Sequence, residues 1–511
     1  MSEPEAGPPL HWSPADALWI GLLFLVALLL QGLQSQNYFD GDTGYHIAVG
    51  RYTLQHGILH EFPWTPFSWL GAHYADKELL LHLLLAPLSL LDPNLAARIA
   101  GACMGGALLS VLYVILRVER VERAGAWALL LLLLSGAFTH RFILVRPHVM
   151  SISLALLVLW SAARGRWALL ALSCFAFPFA YTAWHLTLAL AFIGAAARLL
   201  GRAPRWWAPA PIASLCLALG VLSHPNFPEN LSFFWIQNVE VLFQTAWSDR
   251  PGFELGGEFQ PFSPMGLLRY CALPALALVA ALTLQLRARR ADPLALAASA
   301  AGLGMLVMTL QTQRFVEYFV PFSLLAALSS LGLAALPGAL RPAQLAVPAL
   351  GLSFLWTAAL GSAPLHMLAG RSIIYPPDVE EAVQQLIPKG AQVFHCDWLT
   401  VGEAMLALPD RRFLFALDPV LFYRGDPVAY DLWFRLLHEP VAKAGDGLRD
   451  VIHADYVLCD QRPEWAPLNA NLAADPSVSG PLPVGPLRLW KVLPAGADPS
   501  GPPPATLPAP P

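Results

Sequence analysis

The sequence predicts a polytopic α-helical membrane protein with about eleven transmembrane helices and a small C-terminal α/β domain. Three observations carry that prediction. First, 56% of the 511 residues are hydrophobic and only 13% are charged, with a mean hydropathy of +0.52, which is too apolar for a soluble globular chain. Second, apolar runs of span length recur with short polar segments between them, several of those segments rich in arginine. Third, after residue 378 the pattern changes to short β-rich runs alternating with helical periodicity. The net charge of −4 is small for this length, which argues against a nucleic-acid partner recognised by bulk electrostatics.

Taken in order, residues 1–16 are acidic and short, with no Lys or Arg ahead of the first apolar run. A retained first span with a cytoplasmic N-terminus is therefore expected rather than a cleaved signal peptide. The membrane domain is expected over 17–362, with the first outer loop at 34–94. Its spans are read at 17–33, 95–116, 125–138, 148–162, 167–183, 185–199, 208–222, 265–286, 293–310, 318–336 and 345–360, and the short run 79–91 is laid in the interface. Arg117, Arg120 and Arg123 mark the cytoplasmic end of the second span, and the excess of arginine on that side sets the N-terminus in and the C-terminus out.

Residues 371–494 are expected to form the extracytoplasmic α/β domain. AQVFHCDW, RRFLFALD and ADYVLCD read as strands; DVEEAVQQLI, TVGEAMLAL and PVAYDLWFRLLHEPVAKAGDGLRDVI read as helices. Cys396 and Cys459 end separate strand-like runs, so they can pair in an oxidising compartment or serve as buried thiols. The Pro-rich stretch 495–511 reads as a disordered tail.

The polar loop between the first two spans carries the chemistry. Asp40 and Asp42 form an Asp-Gly-Asp, His46 lies one helical turn beyond Asp42, and Asp76, Lys77 and Glu78 form a second charged cluster. Carboxylates at that spacing can hold a divalent metal or supply a general base, and Asp42 is equally suited to cap the helix that follows. Lys77 is the only lysine before Lys389. It suits a carrier phosphate or, more plainly, an ion pair with its neighbours. Arg146 in HRFILVRPHV and Arg314 in QTQRFVEYFVP are further candidates for that phosphate.

DGDTGYHIAVGRYTLQHG, followed by PWTPFSW and ADKELLLHLLLAPL, resembles bacterial multi-span proteins of the GT-C glycosyltransferase superfamily, related to protein mannosyltransferases and lipid A aminoarabinose transferases. Asp40, Asp42, His46, Gly50, Gly57, Pro66, Phe67, Ser68, Trp69 and Glu78 match the family pattern. Thr43, Gly44 and Tyr45 replace its Leu-Trp-Trp, and Lys77 stands where His is common. The resemblance runs from about residue 17 to 335 and implies a GT-C-like arrangement of helices. It also implies transfer of a sugar from a polyprenyl-phosphate carrier, within the bilayer of the cytoplasmic membrane, to an acceptor on its outer side. In that reading Asp42 is the base or metal ligand, Asp40 supports it, His46 orients it, and Lys77, Arg146 and Arg314, with Asp76 and Glu78 beside them, form the carrier-phosphate site. The cofactor is unassigned; a divalent metal, if used, would fall to Asp40 and Asp42.

Two other classes compete. A transporter or lipid flippase needs ionisable groups near mid-span, but Arg98 and Arg269 lie near span ends. A non-catalytic envelope protein would keep the fold and use the outer α/β domain for binding. The sequence names neither the sugar nor the acceptor.

Overall fold

The computed structural model describes residues 12–33, 41–241, 243–244, 253, 256–288, 291–333, 341–360 and 374–496. Asp40, the N-terminal residues 1–11 and the tail beyond 496 lie outside the described residues. The chain forms two compact units, a helical unit of residues 1–36, 98–224 and 255–370 and a mixed unit of residues 37–97, 225–254 and 371–511. The boundaries expected from the sequence follow the chain; packing instead groups the first polar loop with the C-terminal residues.

In the helical unit, the helix Pro14–Gly32 begins with proline in its first turn, where the missing N–H costs nothing. Asp16 in that turn accepts hydrogen bonds from Tyr113 Oη and Arg117 Nε, both at 2.6 Å, which fixes the first helix to the helix Pro93–Val118. Further along, Gln285 Nε2 donates to Ser299 Oγ and Ser330 Oγ, each at 2.8 Å, so three helices share one half-buried amide between apolar faces. Arg164 joins Glu119 at 2.6 Å and Asp292 at 2.7 Å.

Among the described residues six helices are long and apolar enough to cross a membrane: Pro14–Gly32, Pro93–Val118, Pro264–Arg287, Pro293–Gln311, Gln313–Leu331 and Ala343–Leu360. The pair Gly136–Ile143 and His148–Arg164, bent by 113°, makes a seventh if taken together. Trp167–Ala180, His185–Leu200 and Pro209–Leu222 are apolar but shorter, which is why the structure yields six or seven spans by length where the sequence suggested about eleven. The stretch expected as one span over 125–138 is broken. The helix Ala124–Leu130 stops, and Ser135 caps a new helix by accepting from Phe138 N, while Thr139 Oγ1 donates to Leu132 O. A capping serine inside an apolar run restarts the helix instead of continuing it.

The mixed unit is built on a four-stranded sheet of order β1–β2–β4–β3, with β1 Val393–His395, β2 Tyr456–Asp460, β3 Val478–Val484 and β4 Leu487–Val492. β1 runs parallel to β2, and the other neighbours are antiparallel. Cys396 and Cys459 are disulfide-bonded across the parallel pair, with Cα atoms 5.4 Å apart. The strand expected over RRFLFALD does not form. Gln392 and Arg412 make a single bridge to that segment, and Phe413 N donates to Trp64 O at 2.6 Å. Its backbone is thus used to hold the first polar loop, and its phenylalanines enter the core. β3 was missed because its proline- and glycine-containing pattern, VSGPLPV, reads as loop, and β4, LRLWKV, was not read as a strand.

The same unit clamps the loop helix Gly41–His56 to the helix Val401–Ala407. A Cβ on Gly44 would sit 2.6 Å from Gly402 O, and one on Gly402 would sit 2.2 Å from Gly41 O. The two backbones touch, and only glycine fits on either side. Trp64 Nε1 donates to Pro409 O at 2.9 Å, a second tie between the loop and the C-terminal residues.

Candidate functional site

In each unit the described residues bring together a cluster of charged side chains that includes positions singled out in the sequence. In the mixed unit, the helix Gly41–His56 supplies Asp42 in its first turn and His46 one turn later, and the helix Leu79–Leu88 starts at Glu78 and carries His82. Asp76 precedes that helix and organises it: its backbone N–H donates to Asn226 Oδ1 at 3.1 Å, and its carboxylate accepts from Glu78 N at 3.0 Å. His82 Nδ1 donates to the same carboxylate at 2.8 Å. The opposite nitrogen of His82, Nε2, lies 3.0 Å from His46 Nδ1, which lies 3.5 Å from Glu78 Oε2. Lys77 Nζ is 3.4 Å from Glu78 Oε1 and 5.6 Å from the Phe233 ring centroid. Asp76, Glu78, His46 and His82 are all buried.

Aromatic rings close this cluster. Tyr45 Oη meets Tyr74 Oη at 3.3 Å, and the Tyr45 ring packs edge-on against both imidazoles. Burial first, and the nearby Asp76 and Glu78 carboxylates second, push both phenols well above their ordinary value. Asp418, which caps the helix Pro419–Gly425 by accepting from Val420 N, is raised to about 6 by burial, against the opposing pull of Val420 N–H and the Lys77 charge.

In the helical unit, Arg141 Nε donates to Glu317 Oε2 at 2.6 Å and Arg141 Nη1 to Glu258 Oε2 at 2.8 Å. Arg146 Nη1 reaches the same Glu258 oxygen at 3.4 Å, and Arg314 Nη1 reaches Glu258 Oε1 at 3.1 Å. Arg314 Nη2 donates to Tyr181 Oη at 2.8 Å. Burial opposes ionisation of Glu258, but the guanidiniums of Arg314, Arg141 and Arg146 outweigh it and hold the carboxyl well below the usual range. Among the described residues Arg141, Arg146 and Arg314 gather on Glu258 and Glu317, and Arg141 Nη2 is buried with no acceptor. The cluster has cationic donors to spare for an anion.

No protein-family profile matches the chain, and no curated protein matches it. Solved structures do. The archaeal oligosaccharyltransferase AglB from Archaeoglobus fulgidus, in complex with an inhibitory peptide and a dolichol-phosphate, superposes at a TM-score of 0.57 and 15% identity over 88% of this chain and 70% of that one. ArnT from Cupriavidus metallidurans in the apo state superposes at 0.58 and 14% identity, over 93% of this chain and 98% of that one. The arabinofuranosyltransferase AftD from Mycobacteria superposes at 0.58 and 17% identity over 96% of this chain, which spans only 41% of that much longer protein. The chain has the GT-C fold.

Within this GT-C fold the residues singled out in the sequence fall into two sets. His46, Asp76, Lys77 and Glu78 meet in the mixed unit, with Asp42 one turn before His46. Arg146 and Arg314 meet on Glu258 in the helical unit. Lys77 is ion-paired with Glu78, which is the plainer of the two roles the sequence allowed it. Sequence reasoning missed His82 and Glu258. His82 stands four residues after Glu78 at the start of a helix, an i,i+4 pair that could have been read. Glu258 lies in a loop with no local pattern, and only folding brings it to three arginines.

Proposed function

We propose that this chain is a membrane glycosyltransferase that moves a sugar from a polyprenyl-phosphate carrier to an acceptor outside the cytoplasmic membrane. The carrying observation is the arginine cluster. Three clustered guanidiniums, of which Arg141 is buried with an unmet donor, suit the phosphate on which negative charge develops as the donor cleaves. The GT-C fold and the dolichol-phosphate in the AglB complex support that reading.

In the proposed reaction the acceptor oxygen attacks the anomeric carbon, the bond from that carbon to the phosphate oxygen breaks, and its electron pair stays on the phosphate. Asp42, with Asp40 supporting it, takes the acceptor proton. Arg146 and Arg314, joined by Arg141, neutralise the leaving phosphate. The three shorter apolar helices and the broken 124–143 stretch bring the proposed number of membrane crossings toward eleven, with the N-terminus cytoplasmic and residues 374–496 outside. The Cys396–Cys459 disulfide suits an oxidising compartment.

The test is transfer of radiolabel from a panel of polyprenyl-phosphate sugars by purified protein in lipid. Wild type is expected to transfer from one donor, and Asp42→Asn to lose about 10² to 10⁴ in rate. Full activity in Asp42→Asn would remove that carboxylate from the mechanism. Absence of transfer from every donor, with intact carrier binding, would favour a binding protein.

A further inference from the structure

We propose that His46, Glu78 and His82 form a zinc site that clamps the two helices of the first polar loop. Their ligand atoms all lie within 4.8 Å of one another in a buried pocket. His46 Nδ1 is 3.0 Å from His82 Nε2 and 3.5 Å from Glu78 Oε2. A tetrahedral zinc with bonds near 2.0–2.2 Å holds its ligands about 3.3 Å apart. These two separations bracket that distance and the third lies within 4.8 Å, so metal entry requires side-chain movement and no rearrangement of the two helices.

Three independent features favour a cation over a hydrogen-bond network. The first is Glu78: Oε1 is taken by Lys77, while Oε2 is buried with no hydrogen-bond donor. A desolvated carboxylate oxygen without a partner is costly, and a metal ion removes that cost. The second is Asp76, which receives His82 Nδ1–H at 2.8 Å and therefore turns the lone pair of His82 Nε2 toward His46. A carboxylate behind a metal-binding imidazole fixes the tautomer and raises its basicity. The third is charge. Two carboxyl groups, Asp76 and Glu78, face a single amine, Lys77, in a pocket walled by Tyr45 and Tyr74. Without a metal, His46 Nδ1–H can satisfy His82 Nε2 but leaves Glu78 Oε2 unmet. Two imidazoles and one carboxylate are a borderline donor set, which suits Zn²⁺ rather than Mg²⁺ or Ca²⁺.

The two helices held this way are Gly41–His56 and Leu79–Leu88. The clamp fixes the start of the first of them, one turn from Asp42, and does not depend on whether the chain transfers sugar. It is separate from any metal that Asp40 and Asp42 would hold.

The experiment uses full-length protein with its purification tag removed, stripped with chelator, reloaded with ZnCl₂ and dialysed. Elemental analysis is expected to give one zinc per chain. Co²⁺ in its place is expected to show the intense visible bands of a tetrahedral site, and reloading is expected to raise Tm. His82→Ala is expected to abolish stoichiometric binding. Asp76→Asn, which leaves the ligands intact, is expected to weaken zinc affinity by about 10- to 100-fold. Wild type that retains no zinc, or Co²⁺ bands that persist unchanged in His82→Ala, would overturn the site. If His82→Ala fails to fold, the wild-type stoichiometry and cobalt spectrum decide alone.

Discussion

The two buried clusters are opposites in hydrogen-bond inventory. In the helical unit Arg141, Arg146 and Arg314 gather on Glu258 and Glu317, and one guanidinium nitrogen, Arg141 Nη2, is left over. In the mixed unit Asp76, Glu78, His46 and His82 bring acceptors, and a carboxylate oxygen is left over. A buried group left unmet points to the charge of what would complete it. The roles proposed above follow that difference, an anion at the first cluster and a cation at the second, although both are built from residues that composition alone would class together as charged groups in an apolar protein.

That contrast can be broken most forcefully at the arginines. Arg314→Gln is expected to lower transfer by about 10² to 10³ through loss of a donor to developing phosphate charge, and Arg141→Gln also to destabilise the fold by about 3–5 kcal/mol by removing the guanidinium paired with the buried Glu317 carboxylate. Arg146→Gln, whose contact with Glu258 is long at 3.4 Å, should cost least. Rates measured in lipid alongside thermal unfolding separate the two effects; equal losses at all three positions would sink the assignment.

Cysteine chemistry offers a second, smaller contrast. Cys103, Cys174, Cys216 and Cys271 of the helical unit are free thiols, whereas Cys396 and Cys459 close a loop with a sequence separation of 63. Replacing both by serine should cost about 2–4 kcal/mol. Hydrogen exchange should show the loss in residues 374–496 and leave the helices of the other unit unchanged.

The smallest effect is at Asp418. Its carboxyl is raised from 3.8 to about 6, so the folded state holds its proton more tightly than the unfolded chain. Stability from this group is therefore present below about pH 4 and falls as pH rises toward 6. Asp418→Asn keeps the helix cap, and is expected to raise stability at pH 7.5 by about 1–2 kcal/mol and to flatten the pH dependence between 4 and 6. Denaturant melts across that range would show it, and an unchanged slope would refute it.

Much of this was legible without coordinates. The Asp-Gly-Asp to His46 spacing marked the helix Gly41–His56, and Asp76, Lys77 and Glu78 marked the start of the next. The loop pattern carried the GT-C resemblance that the solved structures bear out as a fold. Arg146 and Arg314 were picked as separate interfacial arginines, and their meeting on one carboxylate was not legible. Glu258 comes from a loop far along the chain, and no period links it to either arginine.

The sequence by itself determined the apolar helices, the change of character after residue 378 and the identity of most polar groups, because hydropathy and side-chain period act over a few residues. Only the tertiary structure decided that RRFLFALD serves the first loop rather than the sheet, that the loop and the C-terminal residues share one unit, and which donors and acceptors remain unmet. Those outcomes depend on backbone contacts such as Gly44 with Gly402 and on charge pairs more than a hundred residues apart. Closing such distances is a property of the packed chain, and no local pattern encodes it.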